Sequence, residues 1–135
     1  GYAHVIPDLI KKILMEQYPL ELLGDGEQIR CFTHISDLAD GIITVMESEN
    51  AINEDFNIAD PRPIKIIDLA RTLWELMDVD KPFKVRYVDG FRYDIKKRLP
   101  DTAKIEKKLG WRTKIKLEDG LLDVIKWLKK KYENK

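Results

Sequence analysis

The sequence predicts a mixed α/β fold, richer in helix than in sheet, built as one domain over residues 1–135. Apolar residues recur at helical spacing in five stretches, and four short runs between them read as strands. No repeat, low-complexity segment or Gly/Ser linker divides the chain. Composition agrees: 44% hydrophobic and 36% charged residues over 135 positions are enough for a single buried core.

The elements follow in chain order. Ile6, Leu9, Ile10 and Ile13 repeat at helical spacing, with Pro7 suited to a first turn, and predict a helix near 7–17 that Pro19 stops. Leu20-Glu21-Leu22-Leu23 reads as a short strand, Gly24-Asp25-Gly26 as a turn, and residues 29–33 as a second strand. Ser36 is expected to cap a helix that carries Leu38, Ile42, Val45 and Met46 on one face. Residues 55–59 suggest a third strand, closed by the rigid loop Asp60-Pro61-Arg62-Pro63. The clearest helix carries Ile66, Leu69, Ala70, Leu73 and Leu76, with the poor capping residue Lys65 at its start. Residues 83–88 alternate as a fourth strand and run into a loop at Asp89-Gly90. Asp101 can cap a short helix ending near Leu109-Gly110. The last helix carries Leu117, Leu121, Val124, Ile125 and Leu128, and closes on Lys129-Lys130-Lys131, cations that suit a helix C-terminus.

Composition also excludes several functions. No apolar run approaches the roughly 18–20 residues of a membrane helix, so no membrane association is expected. One cysteine, Cys31, forbids an internal disulfide framework and agrees with a reducing, cytoplasmic setting. Two histidines and one cysteine cannot close a structural zinc site, and the Cys31-x-x-His34 pair lacks further ligands, so no metal is expected. Basic and acidic side chains balance at 24 each, but unevenly: residues 1–60 hold 3 basic and 12 acidic, a net of −9, and the remainder is +9. That split implies either two oppositely charged faces or a basic side that meets a phosphate-bearing ligand. Nucleic acid is not expected, because aromatic and basic residues do not interleave. The chain opens Gly1-Tyr2-Ala3-His4 without an initiator methionine and is read as part of a longer protein.

No self-sufficient catalytic constellation is visible. Gly24-Asp25-Gly26 lacks a third glycine and precedes a strand, so it is not a dinucleotide fingerprint. What remains is a ligand clamp. Arg30 interrupts an otherwise apolar strand, so its guanidinium either lies on a solvated face or points into a cleft, where its planar fork suits phosphate. Arg92 and Lys96-Lys97-Arg98 lie together in a loop before a short helix.

In sequence order, Pro19-Leu20, then Gly24-Asp25-Gly26-Glu27-Gln28-Ile29-Arg30-Cys31-Phe32-Thr33-His34-Ile35-Ser36-Asp37-Leu38-Ala39 resemble a stretch of the NAD-dependent epimerase/dehydratase family, the extended short-chain dehydrogenases that modify nucleotide sugars. Phe56-Asn57-Ile58, Arg98-Leu99-Pro100-Asp101-Thr102-x-Lys104, Leu109-Gly110-Trp111 and Leu117-Glu118-Asp119-Gly120-Leu121 continue the match in the family's order. The resemblance implies the small C-terminal, nucleotide-sugar-binding domain, with NAD or NADP and the catalytic Tyr-x-x-x-Lys held by a Rossmann domain outside this chain. It therefore implies no catalytic residue and no cofactor here, and an inactive fragment of an active enzyme. Arg30 corresponds to the arginine that pairs with the diphosphate, and Leu20, Glu21 and Leu22 to the strand along the nucleotide base. Arg98 resembles a cation near the phosphates. Arg92 resembles the arginine of an "R-x-G-D" element, although Arg92-Tyr93-Asp94 is one residue short and lacks the glycine. Cys31 replaces a common aspartate, and Ala59 a common glycine. The resemblance further implies a homodimeric whole enzyme, paired through its Rossmann portion, and a monomeric fragment. It leaves open the nucleotide, the sugar, and whether the reaction is epimerisation, dehydration or decarboxylation. The alternative is a non-catalytic regulatory or interaction module that keeps the fold.

Overall fold

The computed structural model describes residues 4–133. Helix α1 (Val5–Leu14) begins two residues before Pro7, because a missing N–H costs nothing anywhere in a first turn. It ends well before Pro19. Glu16 turns left-handed at φ 56°, and the N–H groups of Glu16 and Gln17 return to the carbonyls of Ile13 and Lys12, a Schellman closure.

Strands β1 (Leu20–Leu23) and β4 (Val85–Val88) pair in parallel, with Leu20 opposite Val85 and Leu23 opposite Val88. Strand β2 (Ile29–Arg30) pairs antiparallel with β3 (Ile64–Lys65). On its other side β2 meets residues 96–98: Ile29 N–H donates to Lys96 O at 2.8 Å, and Arg98 N–H to Ile29 O at 3.1 Å.

The third strand is not where the sequence puts it. Residues 55–59 join no ladder, and side chains tie this stretch down instead: Asn57 Nδ2 donates to Asp101 O, and Asp60 N–H to Thr33 Oγ1. The strand that exists, β3, follows directly after the loop 60–63, where the sequence suggested only the approach to the next helix. The second strand is also shorter than expected, because no partner continues beyond Arg30.

Helix α3 (Ile66–Leu76) supplies the largest share of the core, with Ile66, Leu69, Ala70, Leu73 and Trp74 buried. Lys65 offers it no side-chain cap. The preceding turn does that work: Ile66 N–H donates to Gln28 O and Ile67 N–H to Gly26 O, both at 3.0 Å. Both Gly24 and Gly26 sit at φ +75°, which side chains rarely tolerate, so the turn that offers these carbonyls needs glycine. Helix α5 (Leu117–Glu133) adds Leu121, Ile125 and Leu128. With Leu9, Ile10 and Ile13 of α1 and Leu20 and Leu22 of β1, these form one apolar cluster, three helices around a central strand.

Helix α2 (Ile35–Glu47) departs from expectation in two ways. Its cap is His34, whose Nδ1 accepts the Ser36 N–H at 3.3 Å, so Ser36 lies inside the first turn. Its apolar face is not core: the buried residues are Asp37 and Gly41, while Ile42 and Met46 are exposed. Asp37 Oδ2 accepts the Lys114 and Ile115 N–H groups, and the missing side chain at Gly41 admits Ile58 and Trp111. The polar face of α2 is therefore the one fastened to the domain.

Helix α4 (Ala103–Leu109) has Thr102, not Asp101, at its cap position; Asp101, one residue earlier, still serves the start, its Oδ1 accepting the Ala103 N–H at 2.9 Å. Lys104 and Lys108 of this helix reach Glu54, beside the 3₁₀ turn Glu49–Ala51. Among the described residues no helix is long and apolar enough to cross a membrane.

Candidate functional site: a groove between α1, β1 and the 91–98 segment

Alternation along β1 sets the site. The Leu20 N–H bonds Lys84 O and the Gly24 N–H bonds Val88 O, so even-numbered residues turn their backbone groups to β4. Glu21 and Leu23 turn theirs to the opposite edge. There Glu21 N–H meets Gln17 Oε1, Glu21 O accepts from Lys12 Nζ at 3.2 Å, and Leu23 O accepts from Gln28 Nε2 at 3.2 Å. That edge is held by side chains rather than by a strand, and it borders a groove of about 370 Å³, within the size range of small-molecule sites.

Of the six residues singled out from sequence, four line this groove: Glu21, Leu22, Arg30 and Arg98. The two arginines reach one groove because residues 96–98 are bonded to β2 at Ile29, where the Arg98 N–H donates to Ile29 O at 3.1 Å, next to Arg30. Leu20 does not line it; it is fully buried in the core. Arg92 does not either; it is exposed and lies 5.5 Å from the ring of its neighbour Tyr93. Sequence reasoning missed Lys12, Gln28, Phe91 and Asp94, which complete the wall. Gln28 stands two residues from Arg30 in the quoted motif, a signal that was present; Lys12 reads in sequence only as a helix-surface lysine.

Charges in the groove are largely paired. Lys12 holds Asp8 at 2.7 Å, Glu21 holds Arg86, and Arg30 Nη2 holds Asp94 Oδ1 at 2.8 Å. The other arm of Arg30, Nη1, donates to Ile29 O at 2.9 Å, which fixes the plane of the guanidinium. Arg98 is exposed and, among the described residues, makes no ion pair. Cys31 also lines the groove, but burial and then the charge of Asp60 push its thiol above the ordinary value, which disfavours a nucleophilic thiolate. Gln28 is 9% exposed and, among the described residues, its Oε1 has no partner.

Neither a dinucleotide nor a catalytic dyad fits these residues. The Gly24–Gly26 turn joins two strands and does not open a helix. The space above Gly24 is filled by the Gln28 amide, 2.4 Å from where a Cβ would stand, so no pyrophosphate could lie against it. One Tyr-x-x-x-Lys spacing does exist, Tyr93 to Lys97, contrary to the expectation that the pattern is absent. Tyr93 is exposed in a turn and Lys97 lies in the bridge to Ile29, so the helical spacing that would set the two side chains together is not present. Among the described residues no three His, Cys, Asp or Glu side chains gather to hold a metal ion.

Away from the groove, Asp60 anchors the back of β3. Burial opposes its ionisation, but hydrogen bonds from Arg62 outweigh it and hold the carboxyl below its ordinary value. Arg62 also donates to Ile115 O, and Thr113 to Asp60, so this cluster ties the loop before β3 to the entry of α5.

The sequence model for GDP-mannose 4,6 dehydratase matches residues 2–124. UDP-glucuronic acid decarboxylase 4 of Arabidopsis thaliana is 32% identical over 124 residues, 92% of this chain but 27% of that protein. Among solved structures, the UDP-glucose 4-epimerase of Thermotoga maritima with UDP-glucose superposes with a TM-score of 0.85 at 28% identity, covering 98% of this chain and 41% of that one. The UDP-glucuronic acid 4-epimerase of Bacillus cereus, in complex with UDP-glucuronic acid and NAD, gives 0.80 at 29% identity, over 93% of this chain and 40% of that one. The chain thus spans less than half the length of each of these proteins. With the ordered motifs and the groove's setting, these likenesses identify it as a member of the NAD-dependent epimerase/dehydratase family.

Proposed function

We infer that this chain holds the nucleotide-diphosphate end of a nucleotide sugar, as the substrate-binding portion of an NAD-dependent epimerase, dehydratase or decarboxylase. The observation that carries this is the convergence of Arg30 and Arg98 on one groove beside the edge of β1 that faces away from β4. A diphosphate carries two or more negative charges, and two planar guanidinium groups can each meet it with paired N–H donors. The polar edge at Glu21 and Leu23 offers backbone and amide groups that could read a base.

Relatives bind UDP-sugars and NAD, and they are more than twice as long as the part this chain covers. The residues here do not fit the dinucleotide, so the chain's part in the reaction is confined to binding and orienting substrate. Holding the nucleotide fixes where the sugar lies relative to the reacting groups, and such positioning is worth several kcal/mol in a reaction of this kind. The exposed stripe of α2, Ile35, Ala39, Ile42, Ile43 and Met46, is a natural seam for the remainder of such an enzyme.

Calorimetric titration of the 135-residue chain with UDP-, GDP- and dTDP-sugars tests this. Binding of one class is expected, with Arg30→Ala weakening it by roughly 10- to 150-fold, the equivalent of one charge-assisted contact. A chain shown to be folded that binds none of the three would favour a non-catalytic interaction module.

A further inference from the structure

We propose that the outer face of α5 around Lys126, Trp127, Lys129 and Lys131 adsorbs to an anionic lipid surface. The helix sorts its residues by side. Leu121, Val124, Ile125 and Leu128 recur at helical spacing and enter the core. Lys126, Trp127 and Lys130 stand on the opposite side, with Leu122 and Lys129 along one flank and Lys131 along the other. Charge is sorted along the axis as well. Glu118, Asp119 and Asp123 come first, and from Val124 to Tyr132 there are four lysines and no acid. Lys126 and Lys129 are exposed and, among the described residues, make no ion pair or hydrogen bond. Trp127 is 62% exposed, whereas Trp74 and Trp111 are each 5% exposed. Basic and acidic side chains balance at 24 each over the whole chain, so attraction to an anionic surface has to come from a face of this kind and not from total charge.

The chemistry of the face selects its occupant. A bilayer interface takes an indole at headgroup level, and lysines on long stems reach lipid phosphates while the stems lie along apolar material. Lys131 Nζ stands 5.0 Å from the centre of the Trp127 ring. Ammonium and indole side by side match a phosphate layer lying against an apolar boundary. Leu122, half exposed, adds a further apolar contact to the outer surface. A stacked nucleobase fits less well, because Lys131 covers a face of the ring that the base would need. An anionic leaflet attracts each lysine brought near it, so this small cluster with one indole gives weak, reversible and salt-sensitive binding. This reading departs from the expectation of no membrane association, which rested on the lack of a spanning run. Among the described residues no helix can cross a membrane, and that bears on insertion rather than on adsorption. None of these side chains lines the groove, so the inference stands apart from the nucleotide reading.

The test is co-sedimentation of the 135-residue chain with vesicles of phosphatidylcholine alone and of an equal mixture of phosphatidylcholine and phosphatidylglycerol, at low and at physiological salt. Indole fluorescence is read on the same samples, and thermal midpoints serve as the folding control. Binding to the mixed vesicles alone is expected, weakened by salt, with a blue shift of emission. Trp127→Phe is expected to abolish the shift, because the other two indoles are already buried. Lys126→Gln combined with Lys129→Gln is expected to lower the partition about 10- to 30-fold, roughly fivefold for each lysine. Lys84→Gln combined with Lys107→Gln removes the same charge from exposed positions on other elements, and is expected to leave the partition within about twofold. If the chain ignores both kinds of vesicle, or binds phosphatidylcholine equally well, the inference is overturned. If the two lysine pairs lower binding alike, total charge is responsible and the face has no special part. Capture of a single-stranded oligonucleotide through Lys126 and Lys129, with the mixed vesicles ignored, would assign the face to nucleic acid and overturn the inference too. None of these outcomes bears on the groove, which the nucleotide-sugar titration reads separately.

Discussion

A guanidinium attracts an anion only to the extent that it is not already satisfied, so the two groove arginines are not equivalent despite their proximity. Arg98 offers an open charge; Arg30 offers a rigid one that is paired with Asp94. The same accounting applies to acids elsewhere. Hydrogen bonds from Lys108, then Lys104, hold the Glu54 carboxyl at about 2, against an ordinary value of 4.5. The folded value is the lower one, so the contribution of this cluster is complete above pH 4.5 and is lost as pH falls toward 2. Glu54→Gln should therefore show a shallower loss of stability than wild type over that interval, measured by urea unfolding at a series of pH values. Parallel curves for the two proteins would mean that the pairing is absent in solution.

Helices α2 and α3 have comparable apolar content and opposite fates, and comparing them shows what sequence can and cannot reveal. The stripe Ile66, Leu69, Ala70, Leu73 meets α1, α5 and β1 and becomes core. On α2, Ile35, Ile42, Ile43 and Met46 stay exposed, while Asp37 and Gly41 fix the helix to residues 111–115 and to Ile58, and Leu38 and Val45 are half-buried. Periodicity reports that a helix has an apolar face; it does not report whether the chain supplies a cover for it. Leu69→Ala should cost about 2–5 kcal/mol in urea unfolding, as buried leucines generally do. Ile42→Ser should change stability by about 0.5 kcal/mol or less, as exposed positions do. A large loss at Ile42 would mean that α2 packs inward after all. Strand placement was legible on the same terms. Residues 20–23 and 85–88 carry their own alternation and find each other. Residues 55–59 have the composition of a strand but no neighbouring edge, whereas Ile64 and Lys65 become a strand because β2 lies beside them. Pairing partners, unlike periodicity, are not written locally.

Across the whole molecule, several acids of the first part pair with bases of the remainder. Glu21 pairs with Arg86, Glu27 with Lys65, Asp40 with Lys114, and Glu54 with Lys104 and Lys108. Part of the charge split visible in sequence is thus neutralised inside the chain, and Arg98 on the groove is among the basic side chains left open. That explains why the site was half legible. Arg30, Arg98, Glu21 and Leu22 carry family motifs and could be named from sequence, while Lys12 and Asp94 enter only because α1 and the 89–95 stretch fold over the same edge. Motif order points to the epimerase/dehydratase family; only the packing of three distant segments makes a groove.

The central claim is that Arg30 and Arg98 together receive a nucleotide diphosphate, and the most direct measurement is an NMR titration of the isotopically labelled chain with UDP. The account predicts saturable shifts of the Arg30 and Arg98 Nε–H signals and of the backbone amides of Glu21, Leu22 and Leu23, with the exposed face of α2 unperturbed. Saturable shifts confined to other surfaces, with both arginine signals unmoved, would contradict it.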